Sequence, residues 1–368
     1  MAKISSSQAK RLLSTYEIIR IVLGIIFGGY LVWRLYVVLI ANPVYGPDTW
    51  LRFAIAGIIL GSVYALIAIG YTLVYGILFM INFAHGDIMM IGAFGGYFVF
   101  EALRNIPSPS VTDPNLTFLN AHPVVSVILA FIVGMSVASA TGFFLERIAY
   151  RPLRSAPRLV PLISAVGASI FFENAGQLLF GAQRRDYANP LLLTRGEGWN
   201  IPVGSGTVTL TYTGVLTFVL SVLILIALYL LVQRTRMGRA MRAVAENKSV
   251  SALMGIDVDT VISRTFLLSG ALAGAAGVMW GIHLGLVYYF VGFIPGIKAF
   301  TAAVLGGIGN LPGAMLGGLF LGVVEAFGPA ILGIDFQLKD VIAFAILVLV
   351  LIFRPSGILG EVLTEEKV

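Results

Sequence analysis

The sequence predicts an all-α integral membrane protein with about 8–10 transmembrane helices. Of its 368 residues, 58% are hydrophobic and 11% are charged, and the mean hydropathy is +0.94. Soluble domains contain about 45–50% apolar and about 25% charged residues, so this chain cannot cover its surface in water. The composition therefore excludes a soluble enzyme and a disordered chain. Runs such as residues 215–232 are apolar on every face, which excludes the alternating strands of a transmembrane barrel.

Six apolar runs before residue 264 are long enough to cross a bilayer core, which needs about 20 residues. They are 18–41, 53–76, 87–103, Pro123–Leu145, Leu159–Phe180 and 210–232. Residues 264–353 are apolar for long enough to hold two to four more crossings. Either four short crossings fit there, or two crossings with a re-entrant segment around residues 301–312. The Gly-rich run 306–312 favours a broken helix in the second arrangement.

Residues 1–52 are predicted to form an N-terminal extension with a signal-anchor-like helix. A basic start precedes an apolar run, but no small-residue cleavage pattern follows, so we expect the helix to be retained. Arg34 lies near its predicted outer end, where a long side chain reaches the headgroups. Gly24 and Gly28 are expected to pack against a neighbouring helix. Residues 53–358 form the predicted transmembrane domain, and residues 359–368 a cytoplasmic tail.

The basic residues occur in short clusters between apolar runs, which indicates membrane topology and not a nucleic-acid partner. Clusters at the N-terminus, at 146–158 and at 233–264 are predicted to be cytoplasmic. An even number of crossings then places both chain termini in the cytoplasm.

Sequence motifs for chemistry are missing. The chain contains no cysteine and three histidines, and neither G-x-x-x-x-G-K-[ST] nor H-E-x-x-H occurs. The sequence therefore predicts no catalytic residue, no metal site and no nucleotide-binding site. Transport, scaffolding and signalling remain as functions.

Glycine is over-represented, with 42 residues, and several are spaced four apart. Such pairs occur at Gly92/Gly96, Gly270/Gly274, Gly313/Gly317 and Gly318/Gly322. This spacing is typical of tight helix packing in membranes. The alternative is that some glycines mark a hinge or a narrow substrate pathway, for which the candidates are Gly306, Gly307, Gly309 and the adjacent Asn310.

Polar residues inside apolar runs suggest two further groups, because each is costly in a membrane. Asn82, His85 and Asp87 interrupt the run 53–100. They form either a turn, with Asp87 in the first turn of the next helix, or the inner gate of a substrate pathway. A second group comprises Glu173, Asn174 and Gln177, for which a helix-packing hydrogen-bond cluster is favoured over a substrate contact. Lys298 and Glu325 are isolated in the sequence and are interpreted as structural.

The charged linker 233–264 has a helical pattern without proline. Met237, Met241 and Val244 lie on one stripe, and Gly255 is a plausible helix stop. The stripe favours docking into a groove on a soluble partner over a basic loop held near anionic lipid.

Several motifs resemble one known family. The run GSVYALIAIGYTLVYG at 61–76, followed by NFAHGD at 82–87, resembles the start of LivH-type permeases. These are membrane subunits of ABC importers for branched-chain amino acids. The runs GRAMRA at 238–243, ALMGI at 252–256 and KAFTAAVLGGIG at 298–309 are similar to the same family. The resemblance covers residues 53–358 and leaves one extra N-terminal helix.

The resemblance implies an ABC importer permease fold with Gly-rich packing, in the inner (plasma) membrane. It implies alternating access and several partners: a second related permease or second copy, two ABC ATPase subunits and an extracytoplasmic binding protein. ATP and Mg²⁺ would bind the ATPase subunits, and this chain would hold no cofactor. By similarity, the ATPase-coupling segment contains Glu246, Ala252, Gly255, Ile256 and Asp257.

Two alternatives remain. One is the same type of importer for urea or short amides. The other is an ion-coupled secondary transporter, which would need intramembrane ionisable residues and usually two repeated halves. No clear repeat is visible in the sequence.

Overall fold

A computed structural model describes residues 15–41, 44–109, 115–154, 156–157, 159–204, 206–354 and 357–360. Its α-helices are α1 (Thr15–Tyr36), α2 (Pro47–Leu78), α3 (His85–Arg104), α4 (Phe118–Ala121), α5 (Pro123–Leu145), α6 (Leu159–Phe180), α7 (Tyr212–Arg234), α8 (Arg236–Glu246), α9 (Lys248–Leu253), α10 (Val258–Leu284), α11 (Phe293–Gly306), α12 (Leu311–Leu332) and α13 (Lys339–Phe353). Residues 1–14 of the predicted N-terminal extension and 361–368 of the predicted tail lie outside the described residues.

Short elements complete the chain. Strand β1 (Arg185–Asp186) pairs antiparallel with β4 (Leu286–Val287), and β2 (Gly198–Val203) pairs antiparallel with β3 (Gly206–Thr211). One-turn helices follow α1 and α5, and others lie before α13 and within the α6–α7 connection, at Val37–Ala41, Glu146–Tyr150, Arg151–Leu153, Phe336–Leu338 and Leu191–Leu193. The strands pair the segments that join long helices, so they cap the bundle and do not form its core.

The prediction of a multi-pass helical membrane protein is confirmed. Across the described ranges, nine helices are long and apolar enough to cross a membrane. The six runs predicted before residue 264 correspond to α1, α2, α3, α5, α6 and α7. Helix α11 is apolar but has only 14 residues. The total therefore agrees with the predicted range.

Four successive helices, α10 to α13, follow residue 257. Helices α10, α12 and α13 are long and apolar enough to cross a membrane, whereas α11 is shorter, so the number of crossings in this region stays a prediction. The expected broken helix is instead a turn between α11 and α12, which run antiparallel because Gly306 faces Gly313 and Ala302 faces Gly317. Gly307 and Gly309 have φ of 104° and 97°, which side chains other than glycine rarely adopt. The glycine run thus reverses the chain between α11 and α12.

Close helix packing accounts for the paired glycines. Helix α2 lies against α12 where a Cβ on Gly318 would overlap the backbone of Ala65. Helix α3 lies against α10 where a Cβ on Gly92 would overlap Gly274. Any larger residue at these positions would force the backbones apart, at about 1–3 kcal/mol per site. The packing interpretation of these pairs is confirmed.

Helix α1 lies at the edge of the bundle. The Arg34 Nε donates to the carbonyl oxygen of Ile331, at the end of α12, over 3.0 Å. No other atom lies within 4 Å of a Cβ built on Gly24 or Gly28. The expected packing of these two glycines on a neighbour is therefore not found inside the described part of the chain.

Helices α2 and α10 lie side by side and run in opposite directions. Ser269 contacts Gly70, and Trp280 lies beside Tyr64, so α2 and α10 run antiparallel. After each of them the chain turns back into the bundle, through residues 79–84 and 285–292, before α3 and α11 begin. Two oppositely directed units of this kind are the arrangement found in many transporters.

Candidate functional site

A cavity of about 440 Å³ lies where α3 and α11 begin, and residues of α6 and α13 complete its walls. Its walls are mainly aromatic and aliphatic, and three polar side chains face it. The aromatic members are Tyr71, Phe83, Phe293 and Phe300, and the polar members are Asp87, Ser169 and Glu173. Cavities of roughly 300–1,000 Å³ with apolar walls and few polar groups are typical of small-molecule sites.

Two glycine positions let the starts of α3 and α11 meet at this cavity. A Cβ on Gly292 would overlap the carbonyl oxygen of Gly86, and a Cβ on Gly86 would lie 2.6 Å from the carbonyl oxygen of Gly292. Gly296, one turn along α11, is also within 3.2 Å of the Gly86 position. Because no side chain separates these turns, both helix N-termini and their partial positive charges lie beside the cavity.

Asp87 is the buried acid of the cavity. Its side chain is 2% exposed and accepts a hydrogen bond from the Ser169 hydroxyl at 2.5 Å. Glu173 lies one turn further along α6, on the same face as Ser169. One Glu173 oxygen, Oε1, is buried without a hydrogen-bond partner. The cavity thus combines two carboxylates and two helix N-termini with apolar walls, a set that suits a small zwitterion with an apolar side chain.

The linker between α7 and α10 carries a second exposed feature. Leu253, Met254 and Val250 are 87%, 77% and 52% exposed at the tip of α9. They lie in a segment with several charged residues, between the ends of two membrane helices. Large apolar side chains grouped in this way mark protein interaction sites.

Capping residues fix the shape of this tip. Asn247 Oδ1 accepts from the backbone N–H of Val250 at the start of α9, over 2.9 Å. Gly255 has φ of 81° and reverses the chain after α9, as the helix-stop prediction required. Asp257 then caps α10, with Oδ1 accepting from the N–H of Thr260 at 3.1 Å. The hydrogen bonds from Thr260 hold the pKa of Asp257 below its usual value.

Comparison with known proteins decides the family. The model of the family described as "Branched-chain amino acid transport system / permease component" matches residues 53–351. This chain belongs to that family. The match begins after α1, inside α2.

Curated relatives of the permease agree. The high-affinity branched-chain amino acid transport system permease protein BraD of Pseudomonas aeruginosa is 45% identical over 317 residues, 86% of this chain and 98% of that protein. LivH proteins of the same description from Salmonella typhimurium and Escherichia coli K12 are 44% and 43% identical over 311 residues, covering 84% of this chain and 95% of each. No solved structure matches the chain. The resemblance to LivH-type permeases, and the expectation of a transport subunit and not an enzyme, are confirmed.

Of the predicted gate residues Asn82, His85 and Asp87, only Asp87 lines the cavity of the permease. Asp87 lies in the first turn of α3, as predicted, and lines the cavity. His85 is fully buried behind it, with its ring 4.6 Å from the ring of Tyr71 and Nδ1 3.4 Å from Ser269. Asn82 accepts a hydrogen bond from the Tyr150 hydroxyl at 2.7 Å. His85 and Asn82 therefore hold the turn and do not face the cavity.

The glycine turn of the permease lies away from the cavity. Leu359 N–H donates to the carbonyl of Gly306 at 3.1 Å, and the Asn310 side-chain amide donates to the carbonyl of Leu359 at 2.9 Å. Neither these residues nor Gly307 and Gly309 line the cavity. Their suggested role in a substrate pathway stays a prediction, and the structure favours the turn.

The predicted polar cluster on α6 is wrong. Asn174 donates to the carbonyl oxygen of Ile170 in its own helix at 2.7 Å, and Gln177 is exposed. Glu173 alone reaches the cavity. The favoured interpretation, mutual helix packing, therefore applies to none of the three, and the less favoured substrate contact fits Glu173.

A buried ion pair was missed because its members are far apart in sequence. Lys298 Nζ lies 2.8 Å from Glu325 Oε1 and 2.5 Å from Asp340 Oδ1. The Tyr64 hydroxyl donates to Glu325 Oε2 at 2.9 Å. Lys298 and Glu325 are thus not isolated, and they join α2, α11, α12 and α13 close to the cavity. One sequence feature points to this pair: each of two apolar runs contains a charged residue, the two charges are opposite, and a charge inside a membrane needs a partner.

The predicted docking stripe of the linker is also wrong. Met241 and Val244 are 3% and 0% exposed, and Met237 packs against the same core. The stripe therefore attaches α8 to the membrane helices. Of the predicted coupling residues, Glu246, Ala252, Gly255 and Asp257 are exposed and Ile256 is half-buried.

Proposed function

We propose that this permease is the membrane subunit of an ATP-driven importer for branched-chain amino acids. The observation that carries the proposal is the cavity at the starts of α3 and α11, in a chain 45% identical to a permease of that description over 98% of the latter's length. Its aromatic walls accept an aliphatic side chain, which urea and short amides lack. The names of the relatives favour the same cargo.

Each charged end of an amino acid has a counterpart in the cavity. The ammonium group pairs with Asp87 and Glu173. The carboxylate faces the N-terminal turns of α3 and α11, where partial positive charge favours an anion. The cavity needs only modest affinity, because a substrate held too tightly would not leave on the other side of the membrane.

The assembly we infer contains several further chains. A second related permease, or a second copy, completes the membrane part of the assembly. Two ABC ATPase subunits bind ATP and Mg²⁺ and dock on the exposed tip of α9. An extracytoplasmic binding protein delivers the amino acid to the opposite face. This arrangement places the permease in the inner (plasma) membrane, with both of its termini in the cytoplasm.

Transport follows by alternating access. ATP binding brings the ATPase subunits together and moves the segment from Glu246 to Asp257. The membrane helices respond by opening the cavity to one side at a time. The inverted relation of α2 and α10 supports this scheme, because two similar units can exchange inward-open and outward-open arrangements.

Uptake by the complete complex tests the proposal. The permease, its partner permease, both ATPase subunits and the binding protein are assembled in proteoliposomes with ATP on the ATPase side. We expect ATP-dependent uptake of labelled leucine, isoleucine and valine, and none with an ATPase subunit that cannot hydrolyse ATP. Uptake of urea or acetamide in place of leucine would show that the importer carries small amides and not branched-chain amino acids. Uptake driven by an ion gradient without ATP would refute the importer.

A further inference from the structure

A set of paired charges lies between the α9 tip and the cavity. We call it the junction, and it consists of Glu146, Arg154 and Asp259. Arg154 Nη1 lies 2.6 Å from Asp259 Oδ1, and Arg154 Nη2 donates to Glu146 Oε1. Asp259 is in the first turn of α10, two residues after Asp257, and Glu146 follows the last turn of α5. Arg151, three residues before Arg154, also donates to Asp259, from Nη2 to Oδ2. The guanidinium of Arg154 contacts both carboxylates, and it therefore joins the end of the docking linker to the end of α5.

The junction is strongly constrained by burial. The Glu146 side chain is 0% exposed, and its second oxygen accepts from the Ser263 hydroxyl at 2.7 Å. The Arg154 side chain is 19% exposed. A buried carboxylate without its partner is strongly unfavourable, so Glu146 and Arg154 are expected to move together. The planar guanidinium can bind two carboxylates in a fixed geometry, which an ammonium cannot do equally well.

The turn that carries Glu146 also holds the loop at the cavity. Tyr150, in the same turn, is 0% exposed and donates to Asn82, in the loop 79–84 between α2 and α3. Phe83 of that loop lines the cavity. Continuous contacts thus run from Asp259 through Arg154 and the Glu146–Tyr150 turn to the loop.

A second contact links the α9 tip directly to the start of the loop. Lys248 Nζ, in the first turn of α9, lies 5.9 Å from the ring centroid of Phe79. Burial and the nearby charge of Arg154 lower the pKa of Lys248. Phe79 has a positive φ of 54°, and no other non-glycine residue among those that the structure describes has one. Such a backbone costs on the order of 1–3 kcal/mol and is often found in segments that move.

We propose that Arg154 is a positioning residue for energy coupling: it transmits movement of the α9 tip, through Glu146 and Tyr150, to the loop 79–84 that forms part of the cavity wall. The proposal rests on the proposed function. ATP-driven displacement of the α9 tip moves the first turn of α10, and the junction carries that displacement to the turn of Tyr150. The loop, held by Asn82, follows and changes access to Asp87 and Phe83.

Transport per ATP hydrolysed is the measurement that tests it. In the assembled complex, Arg154→Ala is expected to keep ATP hydrolysis within twofold and to lower leucine uptake per ATP at least tenfold. Arg154→Lys reaches one carboxylate at a time and should recover part of the loss. Arg147→Ala is the matched control, because Arg147 lies in the Glu146–Tyr150 turn, is exposed and makes no ion pair within the described ranges. It should match the parent.

A spectroscopic signal follows the loop itself. The chain has no cysteine, so Met80→Cys carries a single spin label in the loop 79–84. We expect ATP to change the label's mobility in the complex with intact Arg154 and not in the one with Arg154→Ala. If Arg154 had only a structural role, Arg154→Ala would lower stability, but the protein that still folds would show the same ATP-dependent change in label mobility.

A charge-neutral variant covers the case in which Arg154→Ala fails to fold. Glu146→Gln with Arg154→Gln removes both buried charges together and should show the same loss of coupling. An uptake-to-ATP ratio within twofold of the parent, or an ATP-dependent spectral change that persists, would overturn the proposal. A fall in hydrolysis that matches the fall in uptake leaves the ratio unchanged and counts against it as well. Failure of the parent complex to transport leucine would instead refute the proposed function.

Discussion

Shortening the exposed apolar side chains at the α9 tip should weaken binding of the ATPase subunit without lowering the stability of the permease itself. Leu253 and Met254 are 87% and 77% exposed, so they contribute little to the permease's own fold. If they enter a groove on the ATPase subunit, each becomes buried on docking. Leu253→Ala and Met254→Ala therefore remove contacts that exist only in the complex.

The size of the effect follows from the exposed fractions. Full burial of a leucine or methionine side chain contributes about 1.5–3 kcal/mol. With more than three-quarters of each side chain available, each truncation should cost about 1.5–2 kcal/mol, or roughly a 10–30-fold rise in Kd. The double variant should lose about 3 kcal/mol, since neighbouring residues need not add fully.

Binding of the ATPase subunit to the permease in nanodiscs measures the loss. Leu178→Ala is the matched control, because Leu178 is also 87% exposed but lies on α6. Thermal stability measured by tryptophan fluorescence should be unchanged in all four variants. A Kd for Leu253→Ala within twofold of that for Leu178→Ala would refute the assignment of the α9 tip as the docking surface.

Three further predictions concern the bundle and the cavity. Glu325→Ala removes one partner of the buried Lys298 ammonium and should lower the free energy of unfolding by about 3–5 kcal/mol. Tyr64→Phe removes one hydrogen bond to Glu325 and should lower it by about 1 kcal/mol. Equal losses of stability for the two variants in thermal denaturation would contradict this prediction. Gly292→Ala should separate the starts of α3 and α11 at about 1–3 kcal/mol and lower leucine uptake, whereas Gly24→Ala, with open space around it, should do neither. Asp87→Asn removes a charge while keeping the shape, and should raise the KM for leucine uptake at least tenfold with ATPase binding unchanged; an unaltered KM would count against an ammonium site.

Features set by neighbouring residues could be predicted from the sequence. The lengths of the apolar runs predicted α5 and α6 at their observed bounds. This works because a helix in lipid must form all of its backbone hydrogen bonds internally and present apolar side chains to the lipid. Asp87 in the first turn of α3 and Gly255 after α9 were likewise predictable from capping. These are interactions within one or two turns of the chain.

Features that join distant segments could not be predicted in this way. The pairing of Lys298 with Glu325 and Asp340 depends on how three helices lie side by side. The burial of Met241 and Val244 was misjudged for a related reason, since an apolar stripe shows that a face is covered but not by what. Glu173 was assigned to helix packing because its position relative to α3 and α11 was unknown.

The sequence by itself therefore determined that this protein crosses a membrane many times, where its long helices before residue 264 lie and, through shared motifs, its permease family. Only the tertiary structure decided the inverted relation of α2 and α10, the meeting of Gly86 with Gly292, and the cavity that results. The physical reason is that lipid makes every apolar helix face equally acceptable. Neighbours are then chosen by close fit, at glycines and buried charges, and that fit exists only once the helices are assembled.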